Sequence, residues 1–232
     1  MNTSEFDQFA EEYEQLHAAN IAITGETPAF FHEYKLKKLQ EFVSRQGIAA
    51  NDILDFGSGI GNSTPFLRRY FPAARLTGAD ISARSLELAE SRFPGLSKLL
   101  LMDGQRVPAE DNSFDVIFCA CVFHHIPHDE HIHWLRELHR VARPGALLAI
   151  FEHNPLNPLT VRAVNTCPFD ENAHLIRANH FAQRYRQSGW NNPKVRFHVF
   201  FPHALKQLRV LEPYLAAVPF GGQYSITATK SS

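Results

Sequence analysis

Cysteine is scarce, with only three among 232 residues. Three thiols cannot all pair with one another. A chain of this length buries enough apolar surface to fold without disulfide or metal staples. No Lys/Arg block of the kind that grips phosphate backbones is present, and the formal net charge is −1. A nucleic-acid partner is therefore disfavoured. No apolar run approaches the roughly 20 residues that span a bilayer, which argues against integral membrane association. The start, Met1-Asn-Thr-Ser-Glu-Phe-Asp7, is polar and acidic and lacks the basic-then-apolar pattern of a secretory leader. Internal repeats and low-complexity stretches are missing too. Together these absences predict a soluble cytoplasmic protein with reduced thiols. The composition that remains is globular, and the length suits one α/β domain with a modest appendage.

Along the chain, strand and helix patterns alternate. Phe6, Phe9, Tyr13 and Leu16 recur at helical spacing. A second helix is predicted from Pro28 to Gln46, ended by Gly47. Short apolar runs then read as strands at Asp52–Gly57, Ala74–Asp80, Lys98–Met102, Phe114–Cys121 and Ala146–Phe151. Helices are expected between them at Thr64–Tyr70, at Ala83–Arg92 behind a Ser82 cap, and at His131–Ala142. Strands apolar throughout, joined by short crossovers, predict an α/β doubly wound parallel sheet. After Phe151 the pattern changes. The stretch 154–180 reads as loop, Ala178–Ser188 as a helix, and Val195–Phe201 and Tyr224–Thr229 as late strands around a short helix at Ala204–Ala217. Residues 1–47 are expected to form an N-terminal helical lid packed on a core of 48–232, with a small insertion at about 203–219.

The chemistry concentrates at strand tips. Asp55-Phe-Gly57-Ser-Gly59-Ile-Gly61 stands where the first strand gives way to a helix. Glycines there let the backbone turn and a ligand approach. A dinucleotide site wants Gly-x-Gly-x-x-Gly, yet the position three beyond Gly59 is Asn62. An acid at the strand tip suits a positive amino group better than a pyrophosphate, which favours S-adenosylmethionine over NAD. Asp80, at the second tip, can accept both ribose hydroxyls. Asp103, at the third, can accept from an adenine amino group, with Gly104 leaving room for the ring.

These residues carry a resemblance. Ile53-Leu-Asp-Phe-Gly-Ser-Gly-Ile-Gly61 resembles the first motif of class I S-adenosylmethionine-dependent methyltransferases, and Gly78-Ala-Asp-Ile-Ser82 resembles their ribose-binding motif. Ser113-Phe-Asp-Val-Ile-Phe118 with Phe123-His-His-Ile126 is similar to the small-molecule branch that includes quinone methyltransferases. Leu135–Leu148 resembles the run into their fifth strand. The resemblance covers about residues 50–152. It implies a Rossmann-like seven-stranded mixed sheet in the order 3-2-1-4-5-7-6, with strand 7 antiparallel. It also implies in-line methyl transfer to an O, N or C nucleophile, with S-adenosylhomocysteine as product. Ser58, Asn62, Ile81 and Cys119 lie in or beside these motifs and join the candidate cofactor-binding set. Family members often place an N-terminal tyrosine over the cofactor's methionine end, which makes Tyr13 a candidate. A non-catalytic sensor or assembly subunit that binds the same cofactor is the alternative.

Residues 124–133 hold five histidines. Their spacing does not suit a metal, and none is assigned. His124 and His125 follow the fourth strand and His153 the fifth, so these are the candidate general bases. Cys119 and Cys121 are two apart on a strand and are expected to face one side as core thiols. Tyr13, Phe30, Phe31, Tyr34, Phe169 and Tyr214 lie in segments the core does not use. They predict a pocket for an apolar or aromatic small molecule. The sequence sets no oligomeric state.

Overall fold

The computed structural model describes residues 13–231. Its strands are β1 (Asp52–Phe56), β2 (Arg75–Asp80), β3 (Lys98–Leu101), β4 (Phe114–Ala120), β5 (Ala142–His153), β6 (Asn191–His198) and β7 (Gln223–Thr229). They form one seven-stranded sheet in the order β3-β2-β1-β4-β5-β7-β6. Pairing is parallel from β3 through β5, whereas β7 runs antiparallel to both β5 and β6. This is the Rossmann-like arrangement that the resemblance implies.

The helices are α1 (Tyr13–Ile21), α2 (Pro28–Gln46), α3 (Thr64–Tyr70), α4 (Ala83–Arg92), α5 (His131–Val141), α6 (Pro158–Asn165), α7 (Ala178–Gln187) and α8 (Glu212–Leu215). Alternation along the strands decides which helices cover which face. Ile53, Val116, Phe118, Leu147 and Phe151 pack with Leu36, Leu39 and Phe42 of α2 and Leu67 of α3. Leu54, Phe56, Ile117, Leu148 and Ile150 pack with Trp134 and Leu138 of α5 and Phe181 and Tyr185 of α7. Local chemistry sets the ends. Thr27 caps α2 by accepting from Phe30 N, Pro28 opens it, and Gly47 closes it at φ 63°. Ser82 caps α4 by accepting from Ser85 N at 3.0 Å.

The structure differs from the sequence pattern in several places. Residues 6–12 of the expected first helix lie outside the described residues, and α1 runs on to Ile21. β5 begins at Ala142, before the Arg-Pro-Gly turn, because Phe114 pairs with Ala142. An irregularity then absorbs residues 143–146 before Val116 meets Leu147. β6 starts at Asn191 and stops at His198 instead of running from Val195 to Phe201. It is an edge strand with a register shift between Asn191 and Lys194, so Pro193 costs no needed ladder bond. The stretch 154–180 is not all loop. Asn157 Oδ1 accepts from Leu159 N and Thr160 N and so caps α6, and a 3-10 turn follows at Pro168–Asp170. The 203–219 segment is a 3-10 run at His203–Leu211 leading into α8. No described helix is long and apolar enough to cross a membrane.

Candidate active site

One cavity opens at the carboxyl ends of β1, β2, β4 and β5. The glycine loop forms its floor. Gly57 sits at φ 74°, and a Cβ there would meet a Val122 methyl at 2.3 Å. Gly59 has φ 51° and open space where its Cβ would stand, so the loop leaves room beside it. The amides of this loop are already engaged. Gly57 N and Ser58 N donate to Ala79 O at 2.8 and 3.1 Å, and Gly59 N donates to Asp80 Oδ2 at 2.8 Å. They are not free to cradle a pyrophosphate. The carboxylate of Asp80 also accepts from Ser82 N at 2.9 Å, which fixes it at the β2 tip.

Asp55 is the exceptional group. It is buried, and its Oδ2 has no hydrogen-bond partner. Burial, with the nearby Asp80 charge, pushes its pKa up to about 7. Ser58 Oγ is likewise buried without a partner. Both line the cavity with Gly57, Gly59, Asn62, Asp80 and Ile81.

At the other end stand histidines and acids. The last residues of β5 supply Glu152 and His153. Glu152 Oε1 accepts from Val122 N and Phe123 N at 3.1 and 2.8 Å, holding the segment that leaves β4. Glu152 Oε2 accepts from His124 Nδ1 at 2.6 Å. His124 Nε2 lies 3.5 Å and His125 Nε2 3.4 Å from Asp170 Oδ1. Burial alone would lower the His124 pKa, but Glu152 and Asp170 flank it and hold it well above the usual imidazole value. Burial and the His124 charge depress His125 to about 3. The other histidines of the cluster serve the fold. His131 Nε2 donates to the carbonyls of Phe123 and Ile126, both at 2.9 Å, and its Nδ1 accepts from Arg184. His128 and His133 bond to the carbonyls of His174 and Gln105.

Most sequence-predicted residues meet here, and some do not. Gly61 shapes the loop at φ 79° without lining the cavity. Asp103 is exposed and caps its own turn, accepting from Gln105 N and Arg106 N at 2.8 and 2.9 Å. Asp103 and Gly104 both stand outside the lining, where Met102 takes the place beside Ile81. Cys119 is fully buried in the core. Cys121 does not share its side: it follows β4 with φ 59° and faces the cavity. Burial would raise its thiol, but Lys35 and His153 outweigh that and lower it to about 7. The Tyr13 side chain lies outside what is described, as does that of Phe169. Phe30, Phe31, Tyr34 and Tyr214 do not line the cavity. Tyr34 instead donates to Glu212 Oε2 at 3.0 Å, and Tyr214 is 84% exposed. Asn20, His32, Lys35, Asp170 and Gln223 take the places expected of aromatics. Sequence reasoning missed Glu152, Asp170, Lys35 and Cys121. Only Glu152 left a signal, an acid ending an otherwise apolar strand.

Residues 54–150 match the family model described as a methyltransferase domain. Over this segment the chain is similar to class I S-adenosylmethionine-dependent methyltransferases. It is 30% identical over 152 residues to a demethylmenaquinone methyltransferase of Thermotoga maritima, covering 66% of this chain and 61% of that one. It is 36% identical over 98 residues to a trans-aconitate 2-methyltransferase of Rhodopseudomonas palustris, covering 42% and 37%. The aligned part spans less than two thirds of the length of these curated relatives. A Thermotoga maritima crystal structure described as a possible histamine N-methyltransferase shares the fold, with TM-score 0.70, 17% identity and 99% of each chain covered. The cofactor of such a domain is S-adenosylmethionine, and the residues present fit it. The buried Asp55 carboxylate, with its Oδ2 unpaired, suits a cation, and the cofactor carries an amino group. The space beside Gly59 and the apolar Ile81 and Met102 suit an adenosyl moiety.

Proposed function

We propose that the chain catalyses methyl transfer from S-adenosylmethionine to a small-molecule acceptor bound between the strand tips and the N-terminal helices. The observation that carries this reading is Asp55, whose buried Oδ2 lacks a partner in the glycine-loop cavity. Asp55 would hold the cofactor's amino group, Asp80 the ribose hydroxyls, and Ile81 and Met102 the flanks of the base. Bound S-adenosylmethionine supplies an electrophilic methyl that leaves with its bonding electrons on sulfur as an acceptor lone pair attacks in line. The chain's part is to align the two and exclude water.

The acceptor end lies where α1 and α2 contribute Asn20, Ile21, His32 and Lys35. This supports reading the described part of the expected N-terminal lid, residues 13–47, as packed on the core. It also favours a polar acceptor over the apolar or aromatic one that the sequence suggests. Lys35 is buried at 4% exposure and pairs with no carboxylate among the described residues, so an anionic group on the acceptor would satisfy it. Among the candidate bases, His124 has both ring nitrogens facing carboxylates and acts as a positioning residue. His125, depressed to about 3, is a poor base near neutral pH, so His153 remains to meet the acceptor's proton. Two of the relatives are named for demethylmenaquinone and trans-aconitate methylation, which supports a small-molecule acceptor.

Calorimetric titration tests the cofactor, and S-adenosylhomocysteine release over a panel of hydroxy and carboxylic acids tests transfer. Binding of S-adenosylmethionine with turnover on at least one acid is expected. Binding of NAD in its place would end this reading.

A further inference from the structure

We propose that His124, His125 and Asp170 form a binding site for a divalent first-row transition ion of the zinc type, at the acceptor end of the cavity. One ring nitrogen each of His124 and His125 and a carboxylate oxygen of Asp170 all lie within 4.8 Å of one another. The two histidine-to-aspartate separations are 3.5 and 3.4 Å. Metal–ligand bonds of about 2.0–2.2 Å in a tetrahedral shell set neighbouring ligand atoms roughly 3.3–3.5 Å apart. Those separations are long for hydrogen bonds and right for two edges of a coordination sphere.

Three further observations point the same way. Glu152 Oε2 accepts from His124 Nδ1 at 2.6 Å, which fixes the ring and leaves Nε2 to bind an ion. A carboxylate behind a histidine ligand is the usual support of such sites. The group is also buried, with His124 at 1% and Asp170 at 7% exposure, and two carboxylates face it. A divalent cation balances them without bulk solvent. Finally, three protein ligands with one side open to a cavity is the pattern of a reactive ion, not a structural one. Imidazole and carboxylate together select zinc-like or iron-like ions over magnesium. The sequence spacing hid this site, because Asp170 arrives from a turn 45 residues beyond His125.

The ion's use rests on the methyl-transfer reading: its open position would take an acceptor oxygen and lower that oxygen's proton affinity. Its binding does not rest on that reading. The full chain, stripped with a chelator, is titrated with Zn2+ against a chromophoric competitor and with Co2+ followed by its visible bands. One equivalent is expected to bind, with millimolar Mg2+ failing to displace it. Glu152→Gln should weaken binding by roughly 10–100-fold, and His125→Ala and Asp170→Ala by more. S-adenosylmethionine titration of the same metal-free variants reports whether they are folded and tests the cofactor separately. Lack of stoichiometric binding by the chain overturns the proposal. So does one-equivalent binding that survives in both His125→Ala and Asp170→Ala.

Discussion

Asp55 is a carboxylate held away from water with one oxygen unsatisfied. Its pKa of about 7 is the electrostatic cost of that placement. The group is raised, so the free protein holds a proton there below neutrality, and a cationic ligand must displace it. S-adenosylmethionine affinity is therefore expected to change little just above about pH 7 and to fall toward tenfold per unit below it. In Asp55→Asn the affinity should drop by at least roughly tenfold and lose this slope. Calorimetry between about pH 5.5 and 7.5 reads both; an unchanged slope in the variant would mean another group is responsible. At the same scale, Cys121 shows why spacing alone misleads. Two residues apart on a strand means one face only while the strand continues. Here β4 ends at Ala120, and a left-handed residue turns the thiol into the cavity.

Elements place these residues. Ser82 does two tasks at the β2–α4 junction: its N–H donates to Asp80 Oδ1, and its hydroxyl caps α4. It is fully buried. Ser82→Ala is expected to cost about 1 kcal/mol, or roughly 2–4 °C in Tm for a domain of this size, readable by calorimetric melting. The cofactor site should survive, because the Asp80 contact uses the Ser82 backbone. The 203–219 segment shows an opposite balance. Leu205, Leu208, Val210 and Leu211 remain exposed, and the segment is held by polar ties. Arg209 donates to Glu26 Oε1 at 2.6 Å, and Glu212 accepts from Tyr34 and Phe200. The periodicity of such a stretch marks a helix, but without burial it settles as a 3-10 run.

For the whole molecule, the sheet leaves a crevice at its strand tips, and filling it should stabilise the fold. A ligand at about 100 times its Kd adds about 2.7 kcal/mol. For this size that is a Tm rise of roughly 5–11 °C. S-adenosylmethionine and S-adenosylhomocysteine should both produce it and NAD should not, by thermal-shift measurement. The reverse ranking would remove the cofactor assignment.

The sequence by itself determined the layers and the place of the glycine loop at the first strand tip. Strand alternation, helix caps and the Asp55–Gly61 spacing are local, so each is legible where it stands. Asp80 is legible too, because the tip of a strand follows from the strand. What only the tertiary structure decided is the acceptor end. His124 meets Glu152 across the β4–β5 pair, and His124 and His125 both meet Asp170 from a turn after α6. The tertiary fold also moved Asp103 out of the cavity and put Lys35 and His32 where aromatics were expected. Contacts between segments far apart in the chain depend on how the helices dock over the sheet, and no periodicity or motif within either segment encodes that.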